Sequence, residues 1–331
     1  MKRMVGTRLS SIILMLFLIA LTGCSNTSNP ATTGEPVGEG SIDSEEGAVE
    51  PKEDDGDAEE ADGDSEETSG EEQDKSADGT VQIGSLNLGD RLMDESWDWE
   101  FRTEWSYGKR EGDITSPVIW IVAAKDHYDS PGITLLAENL LGYFPFDTSR
   151  VEVGHLAGQN HWGNSGTGNA DHGLRPWLNS NGIHEGEGFY AAFSSDFQSI
   201  VLETEVPNKE YENGTPYMTT DKVFIPSSTE LGDTEHMDTY EIGSAYPFFE
   251  GAEDELRTAR IMGDDFCRDY WLRNPNTEGY RPVGSVYEYG MIVSSFADFD
   301  SIGVRPVINV SSSATVSAES DEDGVYIFKF E

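Results

Sequence analysis

The chain has 331 residues, 63 acidic against 21 basic, and a formal net charge of −42 at neutral pH. A field of that sign repels nucleic acid and anionic lipid headgroups, so neither is expected as an electrostatic partner. Two cysteines are too few for a disulfide-rich scaffold or a thiolate zinc cluster.

Residues 1–23 have the layout of an export signal: Lys2, Arg3 and Arg8 precede an apolar run from Ile12 to Leu21 that is short for a bilayer span. The run ends in Leu21-Thr22-Gly23-Cys24, which resembles the bacterial lipoprotein signal. That resemblance implies cleavage before Cys24, acylation of this cysteine with fatty chains such as palmitate, and attachment to the extracytoplasmic face of the cell membrane. Several chains hold durably because each buried CH₂ contributes about 0.8 kcal/mol. With Cys24 lipidated, Cys267 is the remaining cysteine, and no internal disulfide is expected in the mature domain.

Residues 24–80 read as an acidic, disordered stalk. From residue 25 onward they hold 20 acids against Lys52 and Lys75, with Gly, Ser, Thr and Pro filling most other positions. Such a segment has little to bury, and its like charges stretch it. Setting aside the stalk's −18 and the signal's +3 leaves −27 for residues 81–331, which read as one globular domain.

Within that domain, residues 116–126 (SPVIWIVAAKD) and 132–147 (GITLLAENLLGYFPFD) predict two buried strands, or a strand and a short helix. A glycine-rich polar loop follows over 158–173 (GQNHWGNSGTGNADHG). Loops of this length in a compact domain tend to carry function. Phe189, Phe193, Phe197 and Ile200 recur at helical spacing and predict an amphipathic helix. Residues 222–231 (KVFIPSSTEL) predict a buried strand running into a helix capped by Ser227 or Ser228. Beyond residue 265, short runs of β-branched and aromatic residues predict strands at 269–275 (DYWLRNP), 283–295 (VGSVYEYGMIVSS), 303–310 (GVRPVINV) and 324–330 (GVYIFKF). The expected class is α+β, with short, mainly antiparallel strands, few helices and long loops.

Four of these blocks, WGNSGTGNADHGLRPWLN (162–179), TTDKVFIPSSTE (219–230), DYWLRNP and GVRPVINV, resemble an uncharacterised bacterial domain family of unknown function. Two departures stand out: a glycine-rich insertion between Asn164-Ser165 and Leu174-Arg175, and prolines at 176 and 226. More remotely, the Trp-Leu-Arg and Gly-Val-Arg-Pro blocks resemble the closing strands of the formylglycine-generating-enzyme branch of the C-type lectin-like fold. The remote resemblance implies a C-type lectin-like body. The oxidases of that branch use a cysteine pair for copper, and this domain has one cysteine, which argues against that chemistry.

Trp271 and Arg273 sit two apart on a predicted strand and so share a face, where indole and guanidinium stack. On a surface the pair suits a glycan or a carboxylate; in a core it pins a loop, with an acid such as Asp221 as the partner. Trp162, Asn164, Trp177, Trp271 and Arg273 are the candidate ligand-binding residues. Asn160, Asn169, Asp171, Asp298 and Asp300 offer hard oxygen ligands for Ca²⁺, although no helix-loop-helix calcium motif is present. His155, His161 and His172 share the long loop, and none of the six histidines forms a zinc-protease motif. No nucleophile elbow is found, and no carboxylate pair stands out among so many acids. The expected function is a lipid-anchored surface module that binds a glycan or an envelope protein. The alternative is a secreted hydrolase acting on the envelope.

Overall fold

The computed structural model describes residues 79–101, 114–129, 131–148, 161–164, 173–179, 188–210, 214–233, 242–275 and 282–330. The signal, residues 24–78 of the expected stalk and most of the glycine-rich loop lie outside these residues, while Thr80, placed in the stalk, opens the first strand. In chain order the strands are β1 (Thr80–Gln82), β2 (Arg91–Met93), β3 (Trp99–Phe101), β4 (Ile114–Ser116), β5 (Ile119–Lys125) and β6 (Ile133–Ala137). Helices α1 (Leu174–Asn179) and α2 (Ser195–Ile200) follow, then β7 (Thr204–Lys209), β8 (Pro216–Asp221) and β9 (Val223–Phe224). The last part holds α3 (Asp254–Arg257), β10 (Tyr270–Pro275), β11 (Pro282–Val286), β12 (Ile292–Phe296), β13 (Val307–Val310), β14 (Thr315–Ser317) and β15 (Val325–Lys329).

Eight strands form one sheet in the order β1-β14-β15-β2-β5-β6-β13-β9. Its centre is made of continuous apolar runs: every residue of β6 (ITLLA) and of β13 (VINV) is buried. A strand covered on both faces needs such a run, not an alternation. Among the described residues the strands pair antiparallel except β15 with β2, which brings the end of the domain beside its beginning. Smaller ribbons, β10-β11-β12, β3-β4 and β7-β8, pack around this sheet.

The α+β, C-type lectin-like expectation is corrected here, because the described residues form a predominantly β fold with three α-helices of four to six residues. The physical reason is visible at residues 189–200. Phe189, Phe193 and Phe197 are all buried, as their spacing predicts, and pack on Trp97 and Trp120. The backbone over them, however, is a 3-10 turn at Tyr190–Ala192 and then a new helix, started by the Ser194 hydroxyl accepting from the Phe197 N–H. Likewise Ser227 starts no helix. Its Oγ accepts from the Glu230 N–H while Glu230 Oε2 accepts from the Ser227 N–H, a reciprocal capping box closing a single turn.

Cys267 is buried. The chain's other cysteine, Cys24, lies outside the described residues. Among the described residues no helix is long and apolar enough to cross a membrane.

The tip between β11 and β12 shows how tightly the ribbons are seated. Gly290 has φ +90, and a Cβ there would fall 1.8 Å from the Asp254 carbonyl oxygen. Gly290→Ala is therefore expected to cost about 1–3 kcal/mol of stability through strain and displacement of the tip. A thermal melt checks this, and an unchanged midpoint would refute the close approach.

Candidate functional site

The site is built on β8. Tyr217, Thr219 and Asp221 alternate along the strand, so their side chains share one face. Asp221 is 3% exposed and accepts three hydrogen bonds: from Trp162 Nε1 at 2.9 Å, Arg175 Nε at 2.8 Å and Thr219 Oγ1 at 2.7 Å. One buried carboxylate thus ties β8 to the Trp162 turn and to α1. From the same helix Asn179 accepts from the backbone N–H groups of Lys222 and Val223 and donates to the Val223 carbonyl. The sequence blocks around Leu174–Asn179 and Thr219–Phe224 are therefore two halves of one interlock. Pro176 is tolerated in the first turn of α1, where no intrahelical partner for its missing N–H is required.

Above this interlock lies an open groove of about 460 Å³, lined by His161, Gly163, Arg175, Glu210, Tyr217, Met218, Thr219 and Thr220. The Tyr217 hydroxyl accepts from the Gly163 N–H at 2.9 Å and lies 3.5 Å from His161 Nδ1. Glycine is needed at 163, because a Cβ there would sit 2.6 Å from the Tyr217 ring. Burial raises the Tyr217 pKa, so the phenol keeps its proton at neutral pH.

Burial also lowers the His161 pKa below its usual 6.5, against the opposing pull of Glu210 and Asp147. His127, packed on Tyr128 and Tyr246, is lowered by burial and by Arg273, against Glu230. Both histidines hold a proton less well folded than unfolded. Their contribution to stability is complete above pH 6.5 and is lost as pH falls through their folded-state values. Urea midpoints are accordingly expected to drop between pH 7.5 and 5, and less so in His127→Gln or His161→Gln. Equal pH slopes in all three proteins would contradict these assignments.

The predicted ligand residues are mostly scaffold. Trp271 is fully buried, its indole N–H donating to the Phe144 carbonyl at 2.7 Å. Arg273, 1% exposed, does not stack on Trp271: it lies over the Phe224 ring, because the β10 register shifts between Trp271 and Pro275. Nor is Asp221 its partner. The guanidinium forks onto both oxygens of buried Glu230 and donates to the Ile225 and Pro207 carbonyls. Glu230 also accepts from the Tyr128 and Tyr246 hydroxyls, each at 2.9 Å. Arg305 is a second such pin, donating to the Ala137 and Arg257 carbonyls.

Trp162 is buried beneath the groove, and Trp177 is half-buried against Phe144 with ring centroids 4.2 Å apart. Asn164 belongs to the 3-10 turn at Trp162–Asn164. Of the proposed Ca²⁺ ligands, Asn160, Asn169 and Asp171 lie outside the described residues, and Asp298 and Asp300 are exposed. Among the described residues no group of three or more His, Cys, Asp or Glu is placed to hold a metal ion.

Sequence reasoning missed Tyr217 and Glu210 as site residues. The available signal was the two-residue alternation Tyr217, Thr219, Asp221, of which only Thr219 and Asp221 fall inside the TTDKVFIPSSTE block.

A family model described as "Domain of unknown function (DUF6273)" matches residues 134–312. The chain belongs to this family. No curated protein matches it, and no solved structure does.

Proposed function

We propose that this DUF6273 domain is the ligand-binding part of an exported surface lipoprotein, anchored through acylated Cys24 to the extracytoplasmic face of the cell membrane and held off it by the acidic segment. The ligand is a glycan, free or displayed on an envelope partner. The observation that carries the reading is the groove over Asp221. Its volume of about 460 Å³ lies within the roughly 300–1,000 Å³ of small-molecule sites. Its floor is rigid, because Trp162, Arg175 and Thr219 are all fastened to one buried carboxylate. A preformed site limits the ordering cost of binding. The formal charge of −27 on residues 81–331 supports a partner that is neither nucleic acid nor an anionic membrane surface.

The test is a panel of glycans and cell-wall fragments presented to the purified protein with and without calcium. Binding abolished by filling the groove with Thr220→Trp at an exposed lining position, with an unchanged thermal melt, supports the reading. Absence of binding to every member counts against it, and release of new reducing ends from the panel turns it toward the hydrolase. Intact mass of the membrane-extracted protein tests the anchor separately. Acyl chains on Cys24 and their loss in Cys24→Ser are expected. An unacylated chain with Cys24 bonded to Cys267 refutes the anchor, since one sulfur cannot carry both.

A further inference from the structure

The hairpin tip between β11 and β12 turns three large side chains outward: Tyr287, Tyr289 and Met291 are 37%, 48% and 45% exposed. Val286 and Ile292, the paired strand residues beneath them, are buried. Single exposed apolar residues are ordinary on a protein surface, but three within five positions make a patch. It shares no residue with the groove over Asp221.

The tip is held in one shape. The Tyr287 N–H donates to the Met291 carbonyl at 2.7 Å, the Gly290 N–H to the Tyr287 carbonyl at 2.8 Å, and the Glu288 N–H to Asp269 Oδ1 at 2.9 Å. Gly290 rests against the Asp254 backbone, as described above. A surface shaped in advance loses little freedom on binding.

Its chemistry favours a cation. The Tyr287 and Tyr289 rings meet edge-on, with centroids 5.5 Å apart and planes at 66°, so the pair covers little of its own ring faces. Glu288 reaches the Tyr289 hydroxyl, raising its pKa by hydrogen bonding and by charge. Ring faces attract ammonium and guanidinium groups, and a carboxylate beside them adds to the attraction. Exposed Glu253 and Glu255 flank Asp254, on which the tip sits. The nearby bases are already matched, Arg257 to Asp254 and Arg268 to Asp264, although Arg268 also feels Glu288. Among the described residues Glu253, Glu255 and Glu288 form no ion pair.

Other partners fit less well. Two rings at 66° do not make a flat platform for a sugar, and a neutral sugar leaves the acids unmatched. An anionic membrane surface or a second copy of this acidic chain is repelled. We propose that the β11–β12 tip is a docking surface for a basic, apolar segment of a partner protein, with a Lys or Arg side chain over the tyrosine rings and its charge beside Glu288.

The experiment measures fluorescence anisotropy of labelled hexapeptides with the full-length protein in mild detergent at physiological salt. One peptide alternates lysine with leucine, one lysine with serine, and one glutamate with leucine. The lysine–leucine peptide is expected to bind, with the other two about tenfold weaker or worse. The acidic segment near the N-terminus attracts basic peptides too, so the tip's share is read from variants. Tyr287→Ser with Tyr289→Ser is expected to weaken the lysine–leucine peptide by about tenfold, and Glu288→Lys by a similar factor. Phe296→Ser with Phe299→Ser, another exposed aromatic pair, should leave it unchanged. Matching thermal melts verify that each variant folds, and the single substitution Glu288→Lys keeps the test valid if the double tyrosine variant does not. No binding of the lysine–leucine peptide, affinity indifferent to the tip variants, or an equal loss in the phenylalanine variant overturns the proposal. Tyrosine-dependent binding of chitotriose or of phosphatidylglycerol vesicles in place of the peptide overturns it as well, by assigning the tip to a glycan or a membrane.

Discussion

Glu230→Ala is expected to lower the unfolding free energy by about 3–5 kcal/mol, the usual result of leaving a buried arginine without its counter-charge. Glu230 is fully buried, and its two oxygens receive both Nη groups of Arg273, the hydroxyls of Tyr128 and Tyr246 and the Ser227 N–H. The two tyrosine oxygens are 2.7 Å apart, so two hydroxyl protons serve three contacts, and the carboxylate is what keeps both directed inward. Burial, reinforced by Glu230, holds both phenols well above their usual pKa. Removing the carboxylate strands a guanidinium and two hydroxyls in a dry interior. For a domain of this size the loss corresponds to a fall in Tm of roughly 10 °C. A double-mutant cycle with Arg273→Ala should show strong non-additivity, because once one charge is gone the other is a liability. A shift of the denaturation midpoint worth under about 1 kcal/mol for Glu230→Ala would refute the keystone role.

Asp221→Ala is expected to cost about 2–4 kcal/mol and to dissolve the groove along with it. The substitution leaves the buried Trp162 indole N–H without its acceptor and releases Arg175 from its only buried counter-charge among the described residues. It also leaves the Asn208, Thr219, Asp221 relay without its end. Trp162 emission should change, since its indole loses a charged neighbour, and binding to the groove should be lost. Asp221→Asn retains an acceptor for Trp162 but not the charge, so about half the effect is expected. Fluorescence and melting of the two variants together check the order wild type, Asn, Ala. Equal stability in all three would show that the carboxylate is incidental.

Strand placement was legible because it is local. DYWLRNP is β10, KVF contains β9, GVRPVINV ends in β13, and GVYIFKF contains β15, each announced by a short apolar or β-branched run between Gly, Pro and Asn. The blocks that resemble a family of unknown function also proved to lie within the matched region. Helix was over-read where aromatic residues recur every four positions. At residues 189–200 tertiary packing on Trp97 and Trp120 wanted the three rings, and a 3-10 turn plus six helical residues supplied them as well as one longer helix would.

By itself, the sequence determined which apolar runs are buried and where most strands run, because side-chain transfer from water and β-branched backbone preference act within a few residues. Only the tertiary structure decided the pairing of charges. Arg273 chose Glu230 across 43 positions, and Arg175 chose Asp221 across 46. An acidic chain offers many partners to each arginine, and strand order with the β10 register shift, not sequence spacing, brings one carboxylate within reach. The groove follows from the same cause: it exists where the β8 face and the Trp162 turn meet over Asp221, a meeting that no local pattern encodes.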